Sequence, residues 1–565
     1  VNIFQGGEMV QILDFEVVCI GGGGAAVAAA VTAARKANVL LVSKEPVGYG
    51  DTRLAIGNTA YPYLVPGDSP EVFYEDLLDG GEHINDCDLA RVIVNEAHVA
   101  VEMLENFGCL FRRDANGTIS PAVISRAGGH SFARGVAPPG KGVAIGGALR
   151  AALARAGVSV LEETIAYRLL VSQGRIAGVA CFSLPTGEVI TIKSKAVILA
   201  AGGGGWLYYP QTDCSRGTTG DAYSLALRAG AELTDMEQVQ FVPFALTHPA
   251  SMRGIFLGEP NLAGPDGVLL DKSGRLILKE INTMTRAQVT RAMVEALVQG
   301  RGTEKGGLFL DLSGNLKTEK GRQAWSSMKE RGQLEAARLA YGEHAYRWEV
   351  PWEVAPTAHY FMGGVKVNHY CESSIKGLYA AGQSQGGVHG ANRLGSVSLT
   401  ELFVFGRIAG ESAAGYAGET GEINLPENGE EIIKGLAGSR GRGGAYSPLK
   451  LQRELQQAML ELAGPGRTAQ SLRSGLDWIS SLESKSKNLS INPCREYNLE
   501  VLEAIELEHM LVTAKAVVLS ALLRQESRGA HLRLDYPATD ARYLGNVVVN
   551  KVNGQIEARF VEVAN

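Results

Sequence analysis

From residue 15 the chain reads FEVVCIGGGGAAVAAAVTAARKANVLLVSK, and its apolar pattern changes twice along that stretch. Residues 17–20 form a short unbroken apolar run closed by glycine. The alanine-rich stretch that follows has the length of a helix, and residues 39–42 are apolar again without alternation. Short unbroken runs of this kind suit strands buried on both faces, so the segment predicts strand, glycine turn, helix, strand. Two later apolar runs also end in glycine, VILAAGGGG at 197–205 and GLYAAG at 377–382. Three such switches, far apart in the chain, predict one dinucleotide-binding domain assembled from separated segments.

The texture differs over 236–355, where polar helical patterns (QVTRAMVEALVQG, GRQAWSSMKERGQLEAARLAYGE) surround a strand, LFLDL, at 308–312. This predicts an inserted domain. GETGEINLPENGEE at 418–431 reads as a polar linker. From 446 onward the pattern is of long amphipathic helices, then a strand-like tail, NVVVNKVNGQIEARFVEV, with a turn at Asn553-Gly554. The expected organisation is a dinucleotide domain in two parts, 1–235 and 356–425, a capping domain at 236–355, and a C-terminal helical domain at 426–565. A chain of 565 residues has room for these separate cores.

Composition narrows the chemistry. The net charge of −6 leaves no basic footprint for nucleic acid. Seven cysteines, at 19, 87, 109, 181, 214, 371 and 494, include no C-x-x-C pair, so neither a metal site nor a protein-borne iron–sulfur cluster is expected. Scattered thiols suit a reducing cytoplasm, and no secretory signal is evident. Residues 17–34 are uncharged, but four consecutive glycines suit a nucleotide turn better than a bilayer span. A cytoplasmic protein with no direct membrane span is the expectation.

Gly21, Gly23 and Ala26 fill the G-x-G-x-x-G/A positions. The first glycine allows the tight turn, the second lets backbone approach a pyrophosphate, and the small third residue lets helix and strand pack closely. Gly24 and Ala25 open the helix whose amides face the phosphates. Ser43-Lys44 replaces the acidic residue that usually ends the second strand of an NAD site. Near the other end of the chain, HGANRLGSVSLTELFVFG at 389–406 places one cation, Arg393, among small residues just before a helical run. A guanidinium fork there suits a carboxylate held by two parallel hydrogen bonds.

Together with GGHSFARG (128–135), TTGDAYSLALRAGAELTDMEQVQF (218–241), PTAHYFMGGVKVN (356–368) and ESRGAHLRLDYP (526–537), these stretches resemble the flavoprotein subunit family of fumarate reductase and succinate dehydrogenase, which includes L-aspartate oxidase. They occur in family order over nearly the whole chain. The resemblance implies an α/β fold: a discontinuous Rossmann-like FAD-binding domain, an inserted α+β capping domain and a C-terminal helical domain. The active site would lie between the first two. By the same likeness Arg393 clamps a substrate carboxylate and His359 assists. FAD contacts are expected from Gly21, Gly23, Gly24, Ala25, Ala26, Ser43, Lys44, Thr52, Ala201, Gly202, Gly203, Asp221, Gln383, Arg393, Ser396, Ser398 and Leu399. The amides that open the 396–399 helix would face the flavin's pyrimidine edge.

Three departures from the family pattern shape the functional expectation. The histidine that carries FAD covalently in relatives is replaced in GYGDTRLAIGN by Asp51, so FAD is expected to be non-covalent. The His and Thr of Phe-His-Pro-Thr, which bind a second substrate carboxylate, are replaced by Val242 and Phe244 in FVPFALTHP. The proton-shuttling arginine falls at about Ala263; Arg253 and His248 are the candidate replacements nearby. The expected function is an FAD-dependent oxidoreductase moving hydride between flavin and a C–C or C=C bond next to a carboxylate or acyl group, with a substrate other than fumarate or succinate. Electrons would pass to a separate iron–sulfur subunit, which makes any membrane contact indirect. Two alternatives stay open: an electron-transfer subunit without its own substrate, and amine oxidation of the L-aspartate-oxidase type.

Overall fold

The computed structural model describes residues 2–5, 8–56, 58–120, 126, 128–330, 332, 334–426, 441 and 443–562. The linker read at 418–431 falls outside them from residue 427 on. The first apolar runs form strands as their composition requires. Glu8–Ile20, Val39–Val42, Ser159–Leu161 and Val189–Leu199 make the parallel centre of an eight-stranded sheet, with Leu378–Ala380 parallel to Val189–Leu199. Residues 17–20 and 39–42 are buried throughout, which explains their lack of alternation. Arg175–Ser183 and Thr164–Ser172 extend this sheet as antiparallel strands.

The glycine turn after Ile20 leads into the helix Gly24–Ala33, of which only Val31 is not buried. Gly21 stands at φ +130°, and a Cβ there would run into the carbonyl of Ala200 on the neighbouring strand, so only glycine fits. Alanine and glycine also set a close helix crossing. Gly406 and Gly410 of the helix Val397–Glu419 lie against the backbone of Ala25 and Ala29, with no room for side chains between.

A second, antiparallel sheet is built by Val239–Leu246, Trp352–Phe361, Leu308–Asp311, Val268–Leu270 and Leu276–Leu278. It has a separate core that includes Phe244, Leu246, Leu269, Met293, Trp348 and Trp352. The strand Trp352–Phe361 runs across the boundary expected at 355/356 and delivers His359 and Tyr360 from the cap towards the nucleotide domain.

The tail strands Gly545–Val552 and Gln555–Glu562 pair around Asn553 (φ 48°) and Gly554 (φ 85°), the left-handed pair of a two-residue hairpin turn. Gly545–Val552 also pairs with Leu233–Thr234, so the tail joins a sheet with residues just before the cap. Helices Pro448–Leu462 and Ala469–Lys485 pack on the buried helix Leu499–Leu523. No helix among the described residues is long and apolar enough to cross a membrane.

His509, in the middle of that buried helix, bonds Ser224 Oγ (3.0 Å) and the Ala166 carbonyl (3.1 Å). Burial, outweighing the attraction of Asp221, holds it down to about 4 from an ordinary 6.5. Between these values the unfolded chain binds a proton that the folded chain refuses. Stability is therefore whole above about pH 6.5 and falls by about 2–3 kcal/mol for this group as pH drops to 4. Denaturant melts across that window should show the loss, and His509→Gln should flatten it.

Candidate active site

A cavity of about 1240 Å³ opens between the nucleotide domain and the cap. Single-ligand sites usually run about 300–1,000 Å³, so it has room for a cofactor and a small substrate. It is lined by the turn and helix start Gly21–Ala25 together with residues 43–46, and also by His359, Arg393, Gly395, Ser396, Ser398 and Leu399. Of the residues expected to touch cofactor, Gly21, Gly23, Gly24, Ala25, Ser43, Lys44, Thr52, Ala201, Gly202, Asp221, Gln383, Arg393, Ser396, Ser398 and Leu399 line it. Ala26 and Gly203 do not: Ala26 is fully buried on the helix, and Gly203 packs against the side chain of Gln383.

The lining fits FAD on its own terms. The helix Gly24–Ala33 has no side-chain cap at Gly23, which leaves amides to meet a phosphate, and Thr52 Oγ1 accepts from the Gly24 amide at 3.2 Å. A Cβ on Gly22 would run into Ser43 Oγ. Lys44 donates to Thr219 Oγ1 (2.6 Å) and Asp221 Oδ2 (2.9 Å), so its charge is already matched at the cavity wall. Gln383 Nε2 is buried on the wall with no partner in the protein. At the far end, Ser396 adopts φ 69° and caps nothing with its side chain, so the amide end of Val397–Glu419 is open to the cavity. Asp51 accepts from the Ser215 amide at 2.6 Å, and burial pushes its carboxyl up to about 7.

Arg393 reaches this cavity from a loop in which small residues leave it space. Its Nη2 meets His359 Nε2 at 3.0 Å, its Nη1 donates to Ser398 Oγ at 3.0 Å, and its Nε approaches Gln240 Oε1 at 3.4 Å. Burial, helped by the neighbouring Arg286, brings its pKa down to about 10, so it stays charged. His359 Nδ1 bonds Asp213 Oδ2 at 2.8 Å. Burial lowers His359 in spite of that carboxylate. The neutral ring donates its Nδ1–H to the Asp213 carboxylate, and its Nε2 lone pair accepts from Arg393. Phe256 stacks on the imidazole with ring centroids 6.2 Å apart.

Arg286, joined to Arg393 through Gln240, is a guanidinium in the cavity that sequence reasoning missed. It is the first residue of the helix Arg286–Val298, whose start is fixed by a reciprocal capping box between Thr285 and Gln288. Its Nε donates to Glu259 Oε2 (2.8 Å), its Nη2 to Glu259 Oε1, and its Nη1 to Gln240 Oε1 (2.6 Å). Burial opposes both charges of this pair. Their mutual attraction prevails, holding Glu259 below and Arg286 above its ordinary value. Gln240 Oε1 thus touches both arginines, while its amide is anchored on Asn392 Oδ1 and the Arg393 carbonyl, each at 2.9 Å. The T-x-x-Q pattern that starts this helix is visible in the sequence. The approach of Glu259 is not.

The candidates Arg253 and His248 do not line the cavity. Arg253 is held by Gln211 Oε1 at 2.9 Å, and His248 packs on Tyr341 near Glu353. Ala263 is buried, its carbonyl taken by Asn315. Val242 and Phe244 are buried too, Phe244 in the cap's own core, and neither lines the cavity. The apolar wall near the arginines comes instead from Ile255, Phe256 and Leu262.

Comparison with known proteins shows the family. A family described as an FAD binding domain matches residues 16–399, and one described as fumarate reductase flavoprotein C-term matches 452–564. Over 565 residues the chain is 36% identical to one of the subunits of the fumarate reductase (CoM/CoB) of Methanothermobacter marburgensis, covering 98% of this chain and 99% of that one. It is 30% identical over 548 residues to the fumarate reductase flavoprotein subunit of Escherichia coli, covering 93% and 89%. The solved Sdh1 complex of Mycobacterium smegmatis contains a chain with TM-score 0.86 and 30% identity, covering 98% of this chain and 94% of that one. The chain therefore belongs to the flavoprotein subunit family of fumarate reductase and succinate dehydrogenase, and it is an FAD-dependent oxidoreductase.

Proposed function

We propose that the cavity binds a small carboxylate or acyl compound and that hydride moves between FAD and the carbon–carbon bond next to that group. The observation that carries this reading is the convergence of Arg393, His359 and Arg286 on the cavity, the arginines joined through Gln240 Oε1 and His359 bonded to Arg393. FAD supplies the two-electron chemistry when bound. Arg393 takes the carboxylate in a fork, and neutral His359 keeps that fork turned towards the cavity. Fixing one end of the substrate in this way holds its reacting carbons in one orientation.

In the reducing direction one alkene carbon receives hydride and the other must receive a proton. Arg286 is the donor in this reading, and Glu259, hydrogen-bonded to two of its nitrogens, is the carboxylate that relays a proton from solvent back to the guanidine. The product is the saturated acid. The wall of Ile255, Phe256 and Leu262 carries no charge, which favours a substrate with one carboxylate and an apolar remainder. Fumarate itself is the second reading, favoured by relatives that bear the name fumarate reductase over nearly their whole length. FAD is held without a covalent bond, because Asp51 stands where relatives use histidine. Denaturation should accordingly release all of the flavin into the supernatant, and flavin that stays on the polypeptide would contradict this.

The relatives' names as subunits support a further element of the reading, in which electrons reach the flavin from an iron–sulfur partner. The test is to reduce the purified holoprotein and follow flavin reoxidation by crotonate, fumarate and an enoyl thioester, identifying the saturated product. Indifference to all three, with rapid exchange to a co-purifying iron–sulfur protein, would leave an electron conduit instead of this enzyme.

A further inference from the structure

Arg393 is only 4% exposed, yet all three of its side-chain partners are uncharged: Gln240, Ser398 and neutral His359. Burying a guanidinium without a matching carboxylate is costly, so the charge balance has to be found elsewhere. Glu259 is occupied by Arg286. Another acid lies on the opposite side. Glu401, 1% exposed, sits in the first turns of Val397–Glu419 and does not line the cavity. Its Oε2 accepts from the Tyr360 hydroxyl and from His389 Nε2, the latter at 2.9 Å. Tyr360 does line the cavity, and the Arg393 guanidinium carbon stands 4.9 Å from the centre of its ring.

From this stacking order, guanidinium on phenol ring and phenol on buried carboxylate, we infer that Glu401 is the remote counter-charge of the anion clamp. Acting through Tyr360, it keeps Arg393 in place and weakens its grip on carboxylates. The inference rests on the carboxylate-binding reading above. Burial and Glu401 both keep the proton on the Tyr360 oxygen, so the phenol is the donor in this pair. A phenol that donates to a carboxylate has a more electron-rich ring, and that ring attracts a cation more strongly. In the empty site Glu401 offsets the charge of Arg393. When a substrate carboxylate arrives, the same acid repels it through a poorly screened interior. The clamp is thus tuned to orient an acid and still release one. Glu401 is a positioning residue here, since it touches neither cofactor nor substrate.

A purely structural Glu401 predicts the opposite sign, because its loss would loosen Arg393 and weaken binding. The experiment is titration of oxidised holoprotein with crotonate and with fumarate, read by flavin absorbance, in wild type, Arg393→Ala, Glu401→Gln and Tyr360→Phe. Glu401→Gln should bind at least one of these acids about tenfold more tightly. Tyr360→Phe should shift binding the same way, because the ring against Arg393 then no longer donates to Glu401 and loses its added electron density. In both variants the flavin midpoint potential should move to more positive values, since the site then better stabilises a reduced, negatively charged ring. Unchanged or weaker binding in Glu401→Gln with FAD retained would overturn the inference. If that variant loses its flavin, Tyr360→Phe decides on the same criterion. Carboxylate binding that survives Arg393→Ala would instead overturn the anion-site reading, and this inference with it.

Discussion

Arg393→Ala is expected to lower kcat/KM for a carboxylate substrate by about 10²–10⁴-fold while FAD remains bound. Truncating one partner of a buried, hydrogen-bonded charge pair costs about 2–5 kcal/mol, and here the other partner is the substrate itself. The loss should appear in binding as well as turnover, because the same fork both captures the acid and sets its orientation. FAD should stay, because the glycine turn at 21–24, Ser43 and Thr52 line the cavity end away from Arg393. Arg393→Lys keeps the charge but not the two parallel donors, and should recover only a small part of the loss. Steady-state kinetics with a flavin absorbance spectrum on each variant checks all of these points.

Arg286→Gln is expected to act differently. The residue lies in the same cavity, but its guanidinium is already committed to Glu259 and Gln240. If it is the proton donor, its loss should lower kcat by about 10²–10⁴-fold, the usual worth of a positioned acid, and change carboxylate affinity far less. Glu259→Gln should lower kcat as well, with Arg286 present but no longer re-protonated through a neighbouring carboxylate relay. Measuring kcat and the binding constant separately distinguishes this pattern from that of Arg393→Ala, in which both fall. Equal losses of binding in both arginine variants would make Arg286 a second clamp and leave the proton donor to be found.

The opposite roles of the two arginines bear on what the sequence can reveal. Arg393 stands out because it lies among glycines and small residues at the mouth of a helix, a local pattern with a local physical reason. The strand–helix–strand unit at 15–44 and the turn at Asn553-Gly554 are legible for the same reason, since each depends on residues adjacent in sequence. Arg286 reads only as part of a polar helix. Its function depends on Glu259, which lies 27 positions earlier and reaches it only through the packing of the cap. His248 and Arg253 fail in the opposite direction. They are close in sequence to the missing group, but their loop turns them towards Tyr341 and Gln211, away from the cavity.

The same limit explains the sheets. The apolar run at 352–361 gives no sign that it serves both the cap and the cleft, because a strand's partners are set by segments far from it. The tail likewise reads as a hairpin, and a hairpin it is, but its pairing with Leu233–Thr234 depends on contacts across more than 300 positions. Val242 and Phe244 stand where the family resemblance leads one to expect substrate-facing groups. Strand register buries both away from the cavity, and the apolar wall is supplied by Ile255 and Phe256, whose position only the folded cap defines.

The central claim is that a carboxylate is gripped by Arg393 beside FAD, and it is most directly tested with an acid and its uncharged methyl ester. Reduced holoprotein should be mixed with crotonate and with its methyl ester, and flavin reoxidation followed in wild type and Arg393→Ala. The acid should reoxidise wild type about 10²–10⁴-fold faster than the ester, and the difference should collapse in the variant. Equal rates with acid and ester in wild type, or a preference for the acid that persists without Arg393, would contradict it.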